Sequence, residues 1–586
     1  MTDPASVLTP HVQAAMAAAF GPEWREADPV IRPANKKQTS ADLQVNAAMA
    51  AAKKVGRPPR EVAAAIVEHL DAAELVASAE IAGPGFLNIT LQDDWVAASA
   101  TDLLRSDRLV PLPDADERQR VVVDYSSPNA AKEMHVGHLR TTVVGDALAR
   151  TLEGIGHEVI RQNHLGDWGT PFGMLAEHLL EVGEDSDEAH LLETDPNTFY
   201  RNARATFTAT EKSSDPDSFA ARARRRVALL QGGDAESLRL WHGIIELTKG
   251  YLRRVYDELD ITLTDDDIAG ESMYNDELPG ICDALQEKGI AVISEGALCV
   301  FLDGYTGREG KPIPLIVRKS DGGYGYATTD IATLRHSSLE LKADRALYVV
   351  GAPQNLHFRM CWETTDKAGW VKGTVPTHVQ IGNMLGADGK LLRTRSGDLV
   401  TLQSVVDSAL ERAATVVAES RPDLDEETRA TISHQVGIGA LKYADLSISH
   451  DSEYTFDLDR MLSLTGNTGP YLQYATARIR SILRRADAVV TDGPITLTEP
   501  AERALALRLL DYGTVVTSVG ESLEPHRLCA YLFDVAQTFT TFYEHCPVLK
   551  AEDAAVKDSR LALCALTLRT LVEGLSLLGI QSPDQM

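Results

Sequence analysis

Between Asp124 and His138 the chain reads Asp-Tyr-Ser-Ser-Pro-Asn-Ala-Ala-Lys-Glu-Met-His-Val-Gly-His, which joins a strand end, a polar loop and a helix start. The apolar run Val121 to Val123 just ahead reads as a buried strand, and Pro128 makes further pairing unfavourable. Apolar residues then return at helical spacing through Leu139, Val143, Ala147 and Leu148. A strand feeding a helix through such a loop belongs to a parallel α/β sheet, whose ligands gather at the carboxyl ends of the strands.

His135 and His138 are spaced so that a helix beginning near Met134 carries both rings on one face of its first turn. Unpaired N–H groups and the positive dipole end there suit a phosphate. Two imidazoles could hydrogen-bond an α-phosphate as it becomes five-coordinate, while Gly137 lets a base or ribose lie close to the backbone. An isolated His-x-Gly-His at a helix start is more often a surface cap, so its neighbours decide.

With those neighbours the segment resembles the first signature of the class I aminoacyl-tRNA synthetases, a His-x-Gly-His tetrad after the first strand of a nucleotide-binding fold. Ser126-Ser-Pro-Asn129 upstream and Arg161-Gln-Asn-His-Leu-Gly-Asp-Trp-Gly169 downstream look like the arginyl-tRNA synthetases within that class. The resemblance runs through almost the entire chain. It implies an arginine–tRNA ligase that activates L-arginine with ATP, brought as its Mg2+ complex, to arginyl-adenylate and pyrophosphate. The arginyl group then passes to the 3′-terminal adenosine of tRNA(Arg), and activation is expected to wait for tRNA. A shorter nucleotidyltransferase of the same superfamily and a non-catalytic tRNA-binding paralogue are the competing readings.

At 586 residues the chain exceeds one core, and about 150 residues per domain suggests three or four. The expected fold is multidomain, α/β plus all-α. Residues 1–112 alternate Ala-rich helical stretches, Ser40 to Ala52 and Arg60 to Leu70, with strand-like segments ending at Gly83 to Thr90, an N-terminal α+β module. Residues 113–400 read as a split Rossmann-like catalytic core with a parallel sheet, resuming at Ile313 to Val317, Arg345 to Val350 and His378 to Ile381. An acidic helical insertion occupies about 181–288. Residues 401–586 show no strand pattern and read as an all-α bundle, with helical runs Leu402 to Glu419, Met461 to Arg485 and Glu524 to His545.

Guanidinium presents five donors and no acceptor, so an arginine pocket needs anions and planar acceptors. Asp124 at the strand end and Asp330 are the candidate carboxylates, and Tyr326 lies one helical turn before Asp330. The resemblance places Ser127, Asn129 and Gln354 around the α-amino group. Such a site would reject lysine or citrulline by leaving polar groups unpaired. The second class signature, a mobile Lys-Met-Ser-Lys-Ser loop, is matched here by Met384 to Gly397 in altered form, with Thr394 at the position of the second lysine. Charge on the β- and γ-phosphates is then expected from Lys390, Arg393 and Arg395, and from Lys132, which the resemblance makes the compensating cation. Seen alone, Lys132 is a solvated loop lysine. Met384 and Leu385 are expected to hold adenine through their backbone.

The net charge of −28 opposes indiscriminate nucleic-acid binding. Gly466 to Arg485 is a local exception, with Arg478, Arg480, Arg484 and Arg485 and no acidic residue. Tyr471, Tyr474 and Tyr543 could stack on loop bases, or could equally be core. The resemblance alone adds Met586 near the anticodon and Phe86 and Asn88 at the tRNA D-loop. The six cysteines are scattered, without a Cys-x-x-Cys pair, so reduced thiols, no structural metal and a cytoplasmic location are expected. No apolar stretch suggests a membrane span, and a monomer is expected.

Overall fold

The computed structural model describes residues 3–34, 39–307, 310–393, 400–486 and 493–586. Arg120–Asp124, Glu158–Gln162, Arg345–Gly351 and Val375–Ile381 form a parallel sheet. Arg345–Gly351 lies between Val375–Ile381 and Arg120–Asp124, with Glu158–Gln162 on the far edge. Val121, Val122, Val123, Leu347 and Val349 are all buried, the continuous apolar runs of strands covered on both faces. The order of connection reverses between Arg120–Asp124 and Arg345–Gly351, so the ligand crevice opens beside Asp124. The helix Val136–Ile155 packs directly against the end of the first strand, because Gly145 stands where any side chain would run into Tyr125.

Ile313 to Val317, expected in the parallel sheet, lie instead in an antiparallel one made of Ala291–Ser294, Ala297–Thr306 and Pro312–Arg318. Glu295 and Gly296, at φ 50° and 83°, turn the first two strands into a hairpin. Leu315 and Val317 are buried while Ile316 is exposed, so one face of this sheet meets solvent. A short apolar run does not by itself distinguish the two sheet types. Before it stand the helix Thr170–Val182 and the insertion helices Pro196–Thr210, Phe219–Gln231 and Ala235–Glu258. The last buries Leu240, Ile244, Leu252 and Val255 along one stripe and is capped by the Asp234 side chain.

In the N-terminal module Ile31–Pro33, Leu43–Val45, Val76–Ala82 and Phe86–Leu91 form an antiparallel sheet. The helix expected from Ser40 to Ala52 begins only at Ala47, since Leu43–Val45 pairs with two strands, and that tertiary pairing overrides alanine-rich propensity. The C-terminal region holds helices Leu402–Ser420, Glu426–Leu446, Gly469–Arg485, Pro500–Leu510, Tyr512–Ser522, His526–His545 and Ala554–Leu577. The expected run Met461 to Arg485 is broken, restarting at Gly469 under a Thr468 cap with Pro470 in its first turn. A strand does follow Thr401: Tyr454–Thr455 pairs in parallel with Met384–Leu385 and is too short to leave a periodic pattern.

Arginines join these regions. Arg503 in the bundle forks onto Asp42 of the N-terminal module with two bonds of 2.8 Å and also reaches Asp93. Arg569 donates to the carbonyls of Leu104 and Ser106. Among the described residues no helix is long and apolar enough to cross a membrane.

Candidate active site

His135, in extended backbone, is the N-cap of Val136–Ile155, so the helix expected near Met134 starts after the first histidine. Its Nδ1 accepts the Gly137 N–H at 3.1 Å, and His138 Nδ1 accepts the His135 N–H at 3.0 Å. The two histidines thus make the reciprocal cap that Ser and Glu side chains make elsewhere. With both Nδ1 atoms accepting, the proton of each neutral ring lies on Nε2. The rings sit 3.9 Å apart, tilted by 33°. Burial, then the neighbouring His135 and Lys132, pushes His138 down to about 3, and burial followed by Lys132 lowers His135. Cap and site are compatible: capping occupies Nδ1 and leaves two neutral Nε2–H donors.

The loop leading to this cap is strained. Ser126, Ser127 and Ala131 have φ of 72°, 48° and 53°, a region costly for residues with a Cβ. Helix Ala235–Glu258 holds it there: Tyr256 Oη bonds Ser126 Oγ at 2.8 Å, Thr248 Oγ1 accepts the Ala131 N–H, and Tyr251 Oη accepts the Met134 N–H. None of these three side chains stands out in sequence, and they give the insertion a structural task beside the histidines.

A cavity of about 820 Å³ opens at the carboxyl end of the sheet, lined by Asn129, Lys132, Tyr326 and Gln354 from the expected set. Asp124, Ser127 and Asp330 are not on its lining. Asp124 is buried and accepts from Ser127 Oγ at 3.2 Å, while Asp330 is half-buried and bonded to His357 Nε2. His357 does line the cavity, and its ring lies 4.7 Å from that of the exposed Tyr326. Tyr326 and Asp330 therefore meet through a histidine that sequence reasoning missed. Gly166 abuts Asn129, since a Cβ there would stand 2.5 Å from Asn129 Oδ1, and Gly166 O accepts the Ala130 N–H at 3.0 Å.

Glu271, on the lining, belongs to an acidic group whose other members lie off it. Asp124, Asp330, Glu271 and Asp167 surround His164 and raise its pKa against the effect of burial. Burial pushes Asp124 up to about 6 and Glu271 up to about 7, with His164 opposing in both cases. A cation entering here would draw these carboxyls into their ionised forms. Glu271 comes from a short turn, Glu271–Tyr274, with no local sequence pattern to mark it.

The Lys132 ammonium lies 5.6 Å from the centre of the Tyr200 ring. Met384 is buried in its two-residue strand, and Lys390 is exposed just beyond, its carbonyl accepting the Gly386 N–H. Arg393 is also described; Thr394, Arg395 and Gly397 lie outside the described residues. The chain returns to the histidine cap, where Val400 O accepts the Val136 N–H and Met134 O accepts the Leu402 N–H, both at 2.9 Å.

Among the expected RNA contacts, Tyr474 is exposed and Arg478 lies 4.3 Å over the Tyr543 ring. Tyr471 packs on Phe533, and Met586 is half-buried against the bundle. The basic patch is not wholly open to solvent: Arg480 donates to the carbonyls of Ser582 and Pro583, and Arg484 to that of Asp584, so both clamp the C-terminal tail. Phe86 is half-buried, whereas Asn88 is buried and accepts from Gln44.

Three family models match the chain: the N-terminal domain of arginyl-tRNA synthetase over residues 6–91, the class I (R) tRNA synthetase catalytic domain over 99–458, and the DALR anticodon-binding domain over 472–586. The arginine–tRNA ligase of Thermobifida fusca is 64% identical over 589 residues, covering 100% of both chains. That of Erwinia tasmaniensis is 46% identical, covering 99% of each. Among solved structures, arginyl-tRNA synthetase from Plasmodium falciparum superposes with a TM-score of 0.83 at 27% identity, covering 99% of both chains.

Proposed function

The chain belongs to the class I arginyl-tRNA synthetases, and from that premise we propose that it ligates L-arginine to the 3′-terminal adenosine of tRNA(Arg), converting ATP to AMP and pyrophosphate. The observation that carries this reading is the pair of neutral Nε2–H donors at a helix N-terminus, off the cavity lining themselves but on the same loop as Lys132, which lines it together with Glu271 of the acidic group around His164. The guanidinium enters toward Asp330, Tyr326 and Asp124, joined by Glu271 and His357. Ser127, Asn129 and Gln354 take the α-amino group, which directs the carboxylate toward the histidines. Attack on the α-phosphorus needs no protein nucleophile. His135 and His138 donate to the phosphate oxygens as charge builds, and each such donor contributes roughly 10²–10³ in rate.

Lys132, Lys390, Arg393 and Arg395 neutralise the departing pyrophosphate. Mg2+ enters with ATP, held mainly by phosphate oxygens and water, so no dedicated protein cage is called for. Met384 and Leu385 present backbone to adenine. In the RNA complex, Phe86, Tyr471, Tyr474, Arg478, Tyr543 and Met586 contact tRNA, Asn88 acts from beneath the surface through Gln44, and RNA docking completes the pocket by induced fit. Six buried free cysteines suit a reducing compartment, and we place the enzyme in the cytoplasm as a monomer.

ATP–pyrophosphate exchange with each proteinogenic amino acid, with and without total tRNA, tests this. Exchange is expected with arginine alone and only when tRNA is present; its absence under every condition, with folded protein, would favour a non-catalytic paralogue. Lys132→Ala should lower exchange by roughly 10²-fold while tRNA binding is unchanged, and equal losses in both would remove its role. Arginine binding should also strengthen as pH rises through about 6 to about 7, where Asp124 and Glu271 ionise. Calorimetry in buffers of different ionisation heat should register the released protons; an affinity independent of pH over this range would exclude these carboxyls from the site.

A further inference from the structure

We propose that Asp330, His357 and Cys361 form a binding site for a thiophilic divalent cation such as Zn2+, and that the cation bound there excludes arginine. The second half rests on the functional reading above; the first does not. His357 and Cys361 lie one turn apart on the helix Asn355–Lys367, and Asp330 faces them from the neighbouring helix Tyr326–Leu339. One donor atom from each lies within 4.8 Å of the other two.

The spacing fits tetrahedral zinc. Bonds of about 2.3 Å to sulfur and about 2.0–2.1 Å to nitrogen set an N–S edge of roughly 3.5 Å, and His357 Nε2 already lies 3.5 Å from Cys361 Sγ. The Asp330 carboxylate, now hydrogen-bonded to that same Nε2, must swing outward by roughly 1 Å to reach the corresponding N–O edge. On binding, the thiol releases its proton to solvent, the hydrogen bond between Asp330 and His357 Nε2 is given up, and His357 ligates through Nε2 as the neutral ring with its proton on Nδ1. A thiolate and an imidazole select Zn2+ over Mg2+, so the cation that accompanies ATP does not compete for the site. Because His357 lines the cavity, the fourth position is within reach of water. A cation here takes over the Asp330 carboxylate, and with the thiolate and the carboxylate as ligands the bound site is neutral, so the negative charge that would draw the guanidinium is gone and its place is occupied.

The experiment uses the metal-free full-length protein. Co2+ titrated as a spectroscopic stand-in should give a thiolate-to-cobalt charge-transfer band and a tetrahedral visible spectrum, both lost in Cys361→Ala. Zn2+ should inhibit arginine-dependent exchange competitively with arginine and not with ATP. Cys361→Ala should keep its exchange without Zn2+ and need at least about 10-fold more for half-inhibition, the size already seen on losing an outer partner of a ligand. Cys361→Ser serves the same comparison should alanine destabilise the helix. A band that persists without Cys361, or no band in the parent protein, overturns the site. A band without any exchange in the parent would leave the site standing and instead overturn the functional reading. Inhibition that excess arginine does not relieve overturns the exclusion of arginine.

Discussion

Asp330→Asn should lower kcat/KM for arginine by between roughly 10² and 10⁴, the equivalent of about 3–5 kcal/mol for removing one partner of a buried charge pair. Asparagine keeps the shape and one acceptor but removes the charge that faces a guanidinium unable to lose its own. The half-buried position, held by His357, sharpens the effect, since an unpaired guanidinium there would be poorly hydrated. KM for arginine should account for most of the change, KM for ATP should stay as it was, and the unfolding temperature should move little. Exchange in Asp330→Asn equal to the parent at low arginine would mean that the guanidinium binds elsewhere in the cavity.

How far the site was legible depends on what each residue type signals locally. The strand Arg120–Asp124 and the helix after it are plain because a valine run, a proline and a helical apolar spacing succeed one another without ambiguity. His135 and His138 were visible as a pair, but their reciprocal capping was not, since histidine has no recognised preference for that role and the geometry depends on ring orientation. Gln354 follows a strand and its glycine, where a sheet meets a ligand, and the same logic one turn further on would have found His357. Glu271 was beyond reach: it arrives from a short turn more than a hundred residues past the histidines, and only the fold brings it to Asp124 through His164.

Charge raised a different difficulty. The arginines after Gly466 read as one basic surface because sequence shows composition rather than direction; in the fold Arg480 and Arg484 turn to the C-terminal tail while Arg478 lies over Tyr543. The same limit hid Arg140, which reads as an ordinary polar position in the helix after His138 and is fully buried.

Asp445→Ala should cost about 3–5 kcal/mol of stability, because it strands the Arg140 guanidinium in a site that water does not reach. Arg140 and Asp445 have side-chain exposures of 1% and 0%, with Nε 2.5 Å from Oδ1. Arg140 also donates to Ser452 O at 2.7 Å and lies 5.1 Å from the centre of the Tyr454 ring. Burial raises the Asp445 pKa even beside this arginine, and a buried ion pair replaced by well-packed apolar side chains is often neutral in stability. Replacing both, as Arg140→Met with Asp445→Leu, should therefore return most of the lost stability. It should not return activity. Tyr454 pairs with Met384, and Arg140 lies two residues beyond His138, so one guanidinium joins the histidine helix to the strand beside the proposed adenine strand and to helix Glu426–Leu446 of the bundle. The double variant is expected to unfold near the parent temperature yet show a raised KM for ATP and a weakened response of exchange to tRNA. A double variant both stable and fully active would reduce this pair to packing; one that stays as unstable as Asp445→Ala would show that the bond to Ser452 and the ring contact with Tyr454, rather than the ion pair, hold the junction.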